Sequence, residues 1–322
     1  MMALAIVMLT IATRLPTLLQ PAPIDDEAVY SVVANEVVDG GRPYADAVER
    51  KPPLLFWTYA AVFEVAGKYN WLALHAVGLL WVLGTMAGLY VIGREMFDRQ
   101  TGLVAALLYS VFQPWGTWKD LAFNGEMLMN LPIVWAWAIG FKRSSAPLRP
   151  ELLLAGALLC VGFLLKQPAA IAAVPLGLYL LLPSYRISRG LTWKTALVHA
   201  AALTAGFFGS LSVVALVLRE QGILADAFYW SVTNHSIPHI FWDRGVRFTL
   251  LFVGECLPLL IGAALAYPDR RGVWAEKQAE RTALLCLLVA SAIGAPVGAL
   301  VYPHDYIQLI PPLALLPAPF FT

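Results

Sequence analysis

Residues 71–93 read WLALHAVGLLWVLGTMAGLYVIG, twenty-three positions without an Asp, Glu, Lys or Arg. About twenty mostly apolar residues are what a helix needs to cross the hydrocarbon core of a bilayer, and this stretch supplies them. Working outward, residues 2–19, 101–117, 126–141, 151–165, 169–183, 195–218, 247–267, 282–300 and 306–321 are apolar runs of the same kind. Only helices and closed barrels satisfy their backbone groups inside lipid, so the pattern predicts an all-α, polytopic transmembrane bundle of about ten spans.

Composition agrees. Of 322 residues, 59% are hydrophobic and 13% charged, about half the ~25% charged content of soluble domains. Without lipid, such a chain would expose apolar patches that soluble monomers avoid. The net charge of +1 says nothing about nucleic acid, and with no basic run or RNA-binding signature no such partner is expected. Cys160, Cys256 and Cys286 are odd in number, lie in apolar stretches and lack ligand-like spacing, which argues against a disulfide framework or a zinc site. Residues 1–19 have neither a charged lead nor a small-x-small cleavage pattern, so they read as a first span rather than a signal peptide.

Basic residues set the orientation. With the amino terminus inside, the cytoplasmic loops hold Arg94 and Arg99; Lys142, Arg143 and Arg149; Arg186, Arg189 and Lys194; and Arg270, Arg271, Lys277 and Arg281. Acids are half as many there, the asymmetry expected of cytoplasmic loops. Residues 1–322 thus read as one multi-pass domain of a plasma (inner) membrane. The chain stops at Phe321-Thr322 with an apolar segment still running, which reads as a fragment or a minimal form of something longer.

Two outer segments, 20–70 and 219–246, exceed the ~12–15 residues beyond which a connector usually has a task. In the first, Val29, Val33 and Val37 recur at helical spacing after Asp25-Asp26-Glu27. Gly40-Gly41-Arg42-Pro43 is a turn, and Lys51-Pro52-Pro53 leads into aromatic-rich LLFWTY. The expectation is two juxtamembrane helices lying along the surface. The second segment carries His235, His239, Trp242, Asp243 and Arg244, a polar-aromatic mix suited to sugar rings.

The ionisable groups gather on the outer face. Asp25-Asp26-Glu27 could cap a helix, or supply a general base or a cation site. Glu126 returns a second carboxylate to the same face, after Asn124, and two converging carboxylates can divide base and binding roles. Lys51 and Lys166 sit at the Lys-Pro-Pro and Lys-Gln-Pro breaks. Such lysines often extend only to reach the interface, but with Arg14 they make a clamp for a lipid-linked phosphate. His304-Asp305-Tyr306 opens the last apolar run, where tyrosines also form membrane-interface belts.

Taken in order, these pieces resemble the type C membrane glycosyltransferases, in the branch of the dolichyl-phosphate-mannose protein mannosyltransferases and the aminoarabinose lipid A transferases. The resemblance rests on Arg14, then Asp26-Glu27 with Tyr30, Gly40 to Tyr44, Lys51-Pro52-Pro53-Leu54 and Trp57. It continues through Gly93 to Phe97, Glu126, Gly162 to Pro168, and His304-Asp305-Tyr306 to Pro311-Pro312. It implies a transferase using a polyprenyl-phosphate sugar donor on the non-cytoplasmic side, with inversion. The acceptor would be a glycan, a lipid or a protein. Asp26 matches the catalytic base and Glu126 the second outer acid. Arg14, Lys51 and Lys166 would surround the departing phosphate, and Glu27, Tyr30, Asn124, His304 and Tyr306 would contact substrate. Some relatives place a glutamate directly before the lysine; here Glu49 stands one residue further back, and no role is carried over to it. No metal-ligand set is legible, and no cofactor is expected beyond a divalent cation that the chemistry would allow. Two other readings compete. A lipid or glycan flippase would show mid-membrane charges and matching halves. A non-catalytic relative would show no donor-dependent turnover.

Overall fold

The computed structural model describes residues 1–114, 118–234, 242–269, 272–298 and 302–322. Among them the regular structure is helical, with no strand beyond one isolated Pro43–Ala47 bridge. In chain order the helices are α1 (Met2–Leu19), α2 (Glu27–Val38), α3 (Pro53–Ala66), α4 (Trp71–Met96), α5 (Arg99–Phe112), α6 (Gly125–Phe141), α7 (Glu151–Leu165) and α8 (Ala169–Leu181). There follow α9 (Pro183–Ser188), α10 (Trp193–Glu220), α11 (Leu224–Phe228), α12 (Trp242–Glu255), α13 (Leu257–Ala266), α14 (Gln278–Gly294) and α15 (Ile310–Leu315). The chain is an integral membrane protein. By length and composition α1, α4 and α10 can each cross a bilayer, and α12 with α13 makes a fourth if the bent pair is one span. Other apolar helices among the described residues, such as α3, α7 and α8, have only 10–17 residues, so about ten full crossings do not follow from helix length.

Two of the expected spans differ in shape. Residues 247–267 are two helices meeting at 77°. Pro258, at the start of α13, has no N–H to continue the preceding ladder. The charged, amphipathic α12 therefore separates from the wholly apolar α13. Residues 306–321 are likewise broken into 3₁₀ turns around the six-residue α15, as Pro311, Pro312, Pro317 and Pro319 require.

Lipid tails are as apolar as leucine, so helix association in a membrane relies on close packing rather than on water exclusion. At the α7–α10 crossing, a Cβ on Gly156 would lie 2.0 Å from the Leu203 carbonyl oxygen. One on Gly206 would lie 2.0 Å from that of Leu153. No larger residue fits there without separating the backbones. α4 packs on α5 and α6, α6 on α7, and α8 on α14.

The opposite ends of α6, α7, α8 and α14 from Glu126 and Lys166 share a buried polar knot. Arg189 donates to Tyr179 (2.7 Å) and pairs with Glu280 (3.2 Å). Arg149 donates to the carbonyls of Ile139 (2.6 Å) and Gly140 (3.4 Å), and Tyr185 contacts His199 at 3.1 Å.

Candidate active site

The long segment 20–70 forms two helices, α2 and α3, packed on one another. Asp26 occupies the N-cap position of α2, yet its side chain makes no capping bond. Its Oδ2 instead accepts from the Tyr30 hydroxyl at 2.9 Å, one helical turn on. Asp25, just before it, has a left-handed backbone (φ 52°) and pairs with Lys119 at 2.8 Å. Such conformations in non-glycine residues concentrate at functional sites.

Glu126 stands in the first turn of α6, where helix dipole and free N–H groups favour an anion. Asn124 caps that helix, its Oδ1 accepting from the Met127 N–H at 3.0 Å. The buried Glu126 carboxylate pairs with the Lys166 ammonium, which comes from the turn between α7 and α8 and lies 3.8 Å from Asp305. Gly125 makes room for this: a Cβ there would lie 3.0 Å from the Lys166 stem and 3.1 Å from the Leu165 carbonyl.

His304 and Asp305 complete the cluster from the 3₁₀ turn Pro303–Leu309. His304 Nε2 is 3.9 Å from Glu126, and its ring stacks on Tyr302 at 5.5 Å. Asp305 Oδ2 accepts from the Tyr302 N–H at 2.8 Å. Burial pushes the Asp305 carboxyl up. Lys166 opposes that, while the Glu126 charge and a hydrogen bond to it reinforce it, leaving Asp305 at about 8. A neutral Asp305 can therefore donate to Glu126, as two adjacent carboxyls sharing a proton do. Burial also lowers His304 below the usual imidazole value, with Glu126 opposing. Burial alone would lower Lys166 too, but Glu126 and Asp305 outweigh it and hold the ammonium above its usual value.

Asp26 belongs to the same neighbourhood. Its charge reaches both Lys166 and His304. The buried Tyr30 phenol is raised first by burial, then by Asp26, Glu126 and Glu49. Asp26 thus bonds the hydroxyl that the charge of Glu126, a hundred residues away, also reaches.

Lys51 is held by its backbone. Its carbonyl accepts from Tyr44 (2.7 Å), and its N–H donates to Glu49 (2.7 Å). The Gln167 amide donates to the carbonyls of Arg50 (2.9 Å) and Ser231 (3.0 Å), so three separate segments converge there. Tyr44 itself is buried with φ 71°. The half-buried Lys51 ammonium has no ion pair or hydrogen bond among the described residues.

The remaining sequence-derived candidates sit on protein partners. Arg14 is buried and donates to Gln113 (2.7 Å) and the Leu121 carbonyl (3.1 Å). Glu27 is fully buried against the N–H groups of Ile24 and Phe123 and the ring of His75. Tyr306 contacts Thr249 at 2.6 Å and stacks on Phe252 at 4.9 Å, which ties α12 over the cluster. His235 and His239 lie outside the described residues. Asp305 was named only as part of the His304-Asp305-Tyr306 segment, without a role, and His75 was not singled out. Their signal was an ionisable side chain in or beside an apolar run. Glu126, His304 and Asp305 each bring a ligating atom within 4.8 Å of the others, a set able to hold a divalent cation, although Lys166 already neutralises Glu126.

The architecture is that of known membrane transferases. It superposes on the archaeal oligosaccharyltransferase AglB from Archaeoglobus fulgidus, in complex with an inhibitory peptide and a dolichol-phosphate, with a TM-score of 0.61 at 12% identity. That match covers 99% of this chain and 49% of the other. ArnT from Cupriavidus metallidurans bound to undecaprenyl phosphate gives 0.62 at 16% identity, over 98% of this chain and 59% of the other. The chain thus spans about half to three fifths of the length of these proteins. No curated protein sequence matches it. The sequence profile described as dolichyl-phosphate-mannose-protein mannosyltransferase matches residues 50–214, half of the sequence, taking in Lys51, Glu126 and Lys166. The chain belongs to the dolichyl-phosphate-mannose-protein mannosyltransferase family.

Proposed function

We propose that this protein is a glycosyltransferase that moves a sugar from a polyprenyl-phosphate donor to a hydroxyl- or amine-bearing acceptor at the outer membrane surface, with inversion. The observation that carries the reading is the assembly of Asp26, Glu126, Lys166, His304 and Asp305 in one neighbourhood from four separate segments. Asp26 is the base: its carboxylate is not spent on capping α2, and Tyr30 orients it. It takes the acceptor's proton as the acceptor oxygen or nitrogen bonds to the anomeric carbon. The bond from that carbon to the phosphate oxygen breaks, and its electron pair leaves with the lipid phosphate. Lys51, whose backbone is fixed and whose ammonium is uncommitted, meets that phosphate. Glu126, with the neutral Asp305 hydrogen-bonded to it, holds Lys166 charged at the same level and completes the positive surround. Arg14 and Asn124 act beneath the site by shaping the loop that delivers Glu126. Lys166 stands in this reading where a metal would otherwise neutralise Glu126, so transfer runs without a divalent cation.

The reading is tested by offering the purified chain a panel of radiolabelled polyprenyl-phosphate sugars with protein, lipid and glycan acceptors. Donor-dependent transfer with inverted product is the expected result, and its absence across the panel would overturn the assignment in favour of a flippase or a non-catalytic relative. Sidedness is read separately by single-cysteine labelling in intact cells, in a background without the native cysteines. Asp26→Cys and the exposed Asp46→Cys are expected to label from outside, and Arg94→Cys to be protected.

A further inference from the structure

Glu27 and His75 take no part in the chemistry above, yet they are the most completely buried ion pair beside it, with side chains 0% and 2% exposed. Glu27 Oε2 accepts from the Ile24 N–H at 2.7 Å and from His75 Nε2 at 3.1 Å, and Oε1 accepts from the Phe123 N–H at 2.6 Å. An ionised carboxylate is an acceptor at every lone pair, and three donors suit that form alone. On the other side of the ring, His75 Nδ1 lies 2.9 Å from the Thr17 carbonyl oxygen. Both ring nitrogens face acceptors, so both contacts are donated only by the doubly protonated imidazolium.

The placement of these charges has an electrostatic logic. Thr17 is in the last turn of α1, whose carbonyls lack helical partners. The imidazolium therefore meets the negative end of α1, and the carboxylate occupies the first turn of α2, where negative charge is favoured. One neutral pair thereby joins α1, the 20–26 linker, α4 and the 119–125 loop. Asp26 is the residue before Glu27, and Glu126 is three residues after Phe123.

We infer that His75 and Glu27 are positioning residues, a buried imidazolium–carboxylate pair that fixes the segment carrying Asp26 against the segment carrying Glu126. The catalytic consequence rests on the transferase reading, whereas the geometric consequence does not. Arg14 on the Leu121 carbonyl and Tyr59 on the Phe123 carbonyl hold the second loop independently. Removing the pair should therefore loosen the two loops without unfolding the bundle. Reacting groups must be held within a fraction of an ångström of productive geometry, and a displacement of about 1 Å can cost on the order of 10²-fold in rate.

The test uses the full chain in detergent with His75→Gln, Glu27→Gln, the double variant and His75→Lys. Amide hydrogen exchange is followed by mass spectrometry. In the glutamine variants, residues 20–26 and 119–125 are expected to exchange roughly ten-fold faster or more, with α7 and α10 protected as in the parent. His75→Lys, which keeps a cation that reaches Glu27, should restore protection of 119–125. Turnover should fall roughly ten- to a hundred-fold with the donor KM unchanged, and the double variant should be no slower than the worse single one. Unchanged exchange in both loops, or a uniform rise throughout the bundle, overturns the inference. If the parent transfers no sugar from any donor, the transferase reading fails, and the exchange data still decide whether the pair fixes the loops.

Discussion

Lys166 and Glu126 meet as an ion pair across forty residues of sequence, one from the turn that ends α7 and the other from the first turn of α6. Their side chains are 12% and 2% exposed, so neither charge can be removed alone without stranding the other. A buried charge left unpaired costs about 3–5 kcal/mol, whereas replacing both partners is often nearly neutral. Lys166→Met and Glu126→Gln are each expected to lower the unfolding temperature clearly in a fixed detergent, and the double variant to recover most of the loss. Because Lys166 already neutralises Glu126, a chelator should leave turnover within about two-fold, roughly 0.4 kcal/mol. A large loss on chelation would place a metal in the cluster instead.

Asp26 and Lys51 are separable by kinetics. Asp26→Asn keeps shape and removes proton acceptance, so turnover should fall ~10²–10⁴-fold with donor affinity little changed. Lys51→Ala removes a charge-assisted contact worth about 1.5–3 kcal/mol and should weaken donor binding while also slowing transfer. Single-turnover transfer and donor binding, measured on the same preparations, distinguish the two roles. Near-normal turnover in Asp26→Asn would leave the site without its base.

Asp305 gives the site a pH signature. Its carboxyl is raised from 3.8 to about 8, chiefly by burial. Between those values the folded protein keeps a proton that the unfolded chain has released. Its contribution to stability is therefore complete below the unfolded value and is lost as pH rises toward about 8. Asp305→Asn cannot ionise, so thermal stability in this variant should vary less between pH 5 and pH 8 than in the parent. A parallel pair of pH profiles would show that Asp305 is ionised throughout.

The knot at the other end of the helices supplies a control. Glu280→Gln leaves Arg189 buried with a neutral partner and should destabilise the protein by roughly 3 kcal/mol. Turnover per folded molecule at low temperature should stay close to that of the parent. Loss of turnover without loss of stability would mean that the two ends communicate.

The long apolar runs were legible because their signal is local. Residues 71–93 and 195–218 lie within α4 and α10, and 151–165 coincides with α7. The bend within 247–267 was not legible because mean hydropathy is blind to a change of face. Arg247 and Glu255 mark a helix that is polar on one side, and Pro258 starts a different one. At the site, the sequence could bring Asp26, Lys51, Glu126 and Lys166 to one level, since each stands beside a break. It could not distinguish which ionisable groups are committed to protein partners. Glu27 and Asp26 are neighbours with the same chemistry. Only the loop at Phe123, contributed from ninety-six positions away, makes one a buried strut and leaves the other half-buried. His75 and Asp305 depend in the same way on partners brought from distant segments.

The hairpin of α6 and α7 is clipped at both ends, by Glu126 with Lys166 and by Arg149 on the carbonyls of Ile139 and Gly140. Its two rods cannot slide by a turn without breaking one clip, so their register does not depend on the exposed connector between Lys142 and Leu148. That connector is accordingly a port for foreign sequence. An epitope or a rigid fiducial domain spliced in after Arg143 would give imaging a handle at the end of the molecule farthest from the acid–base cluster.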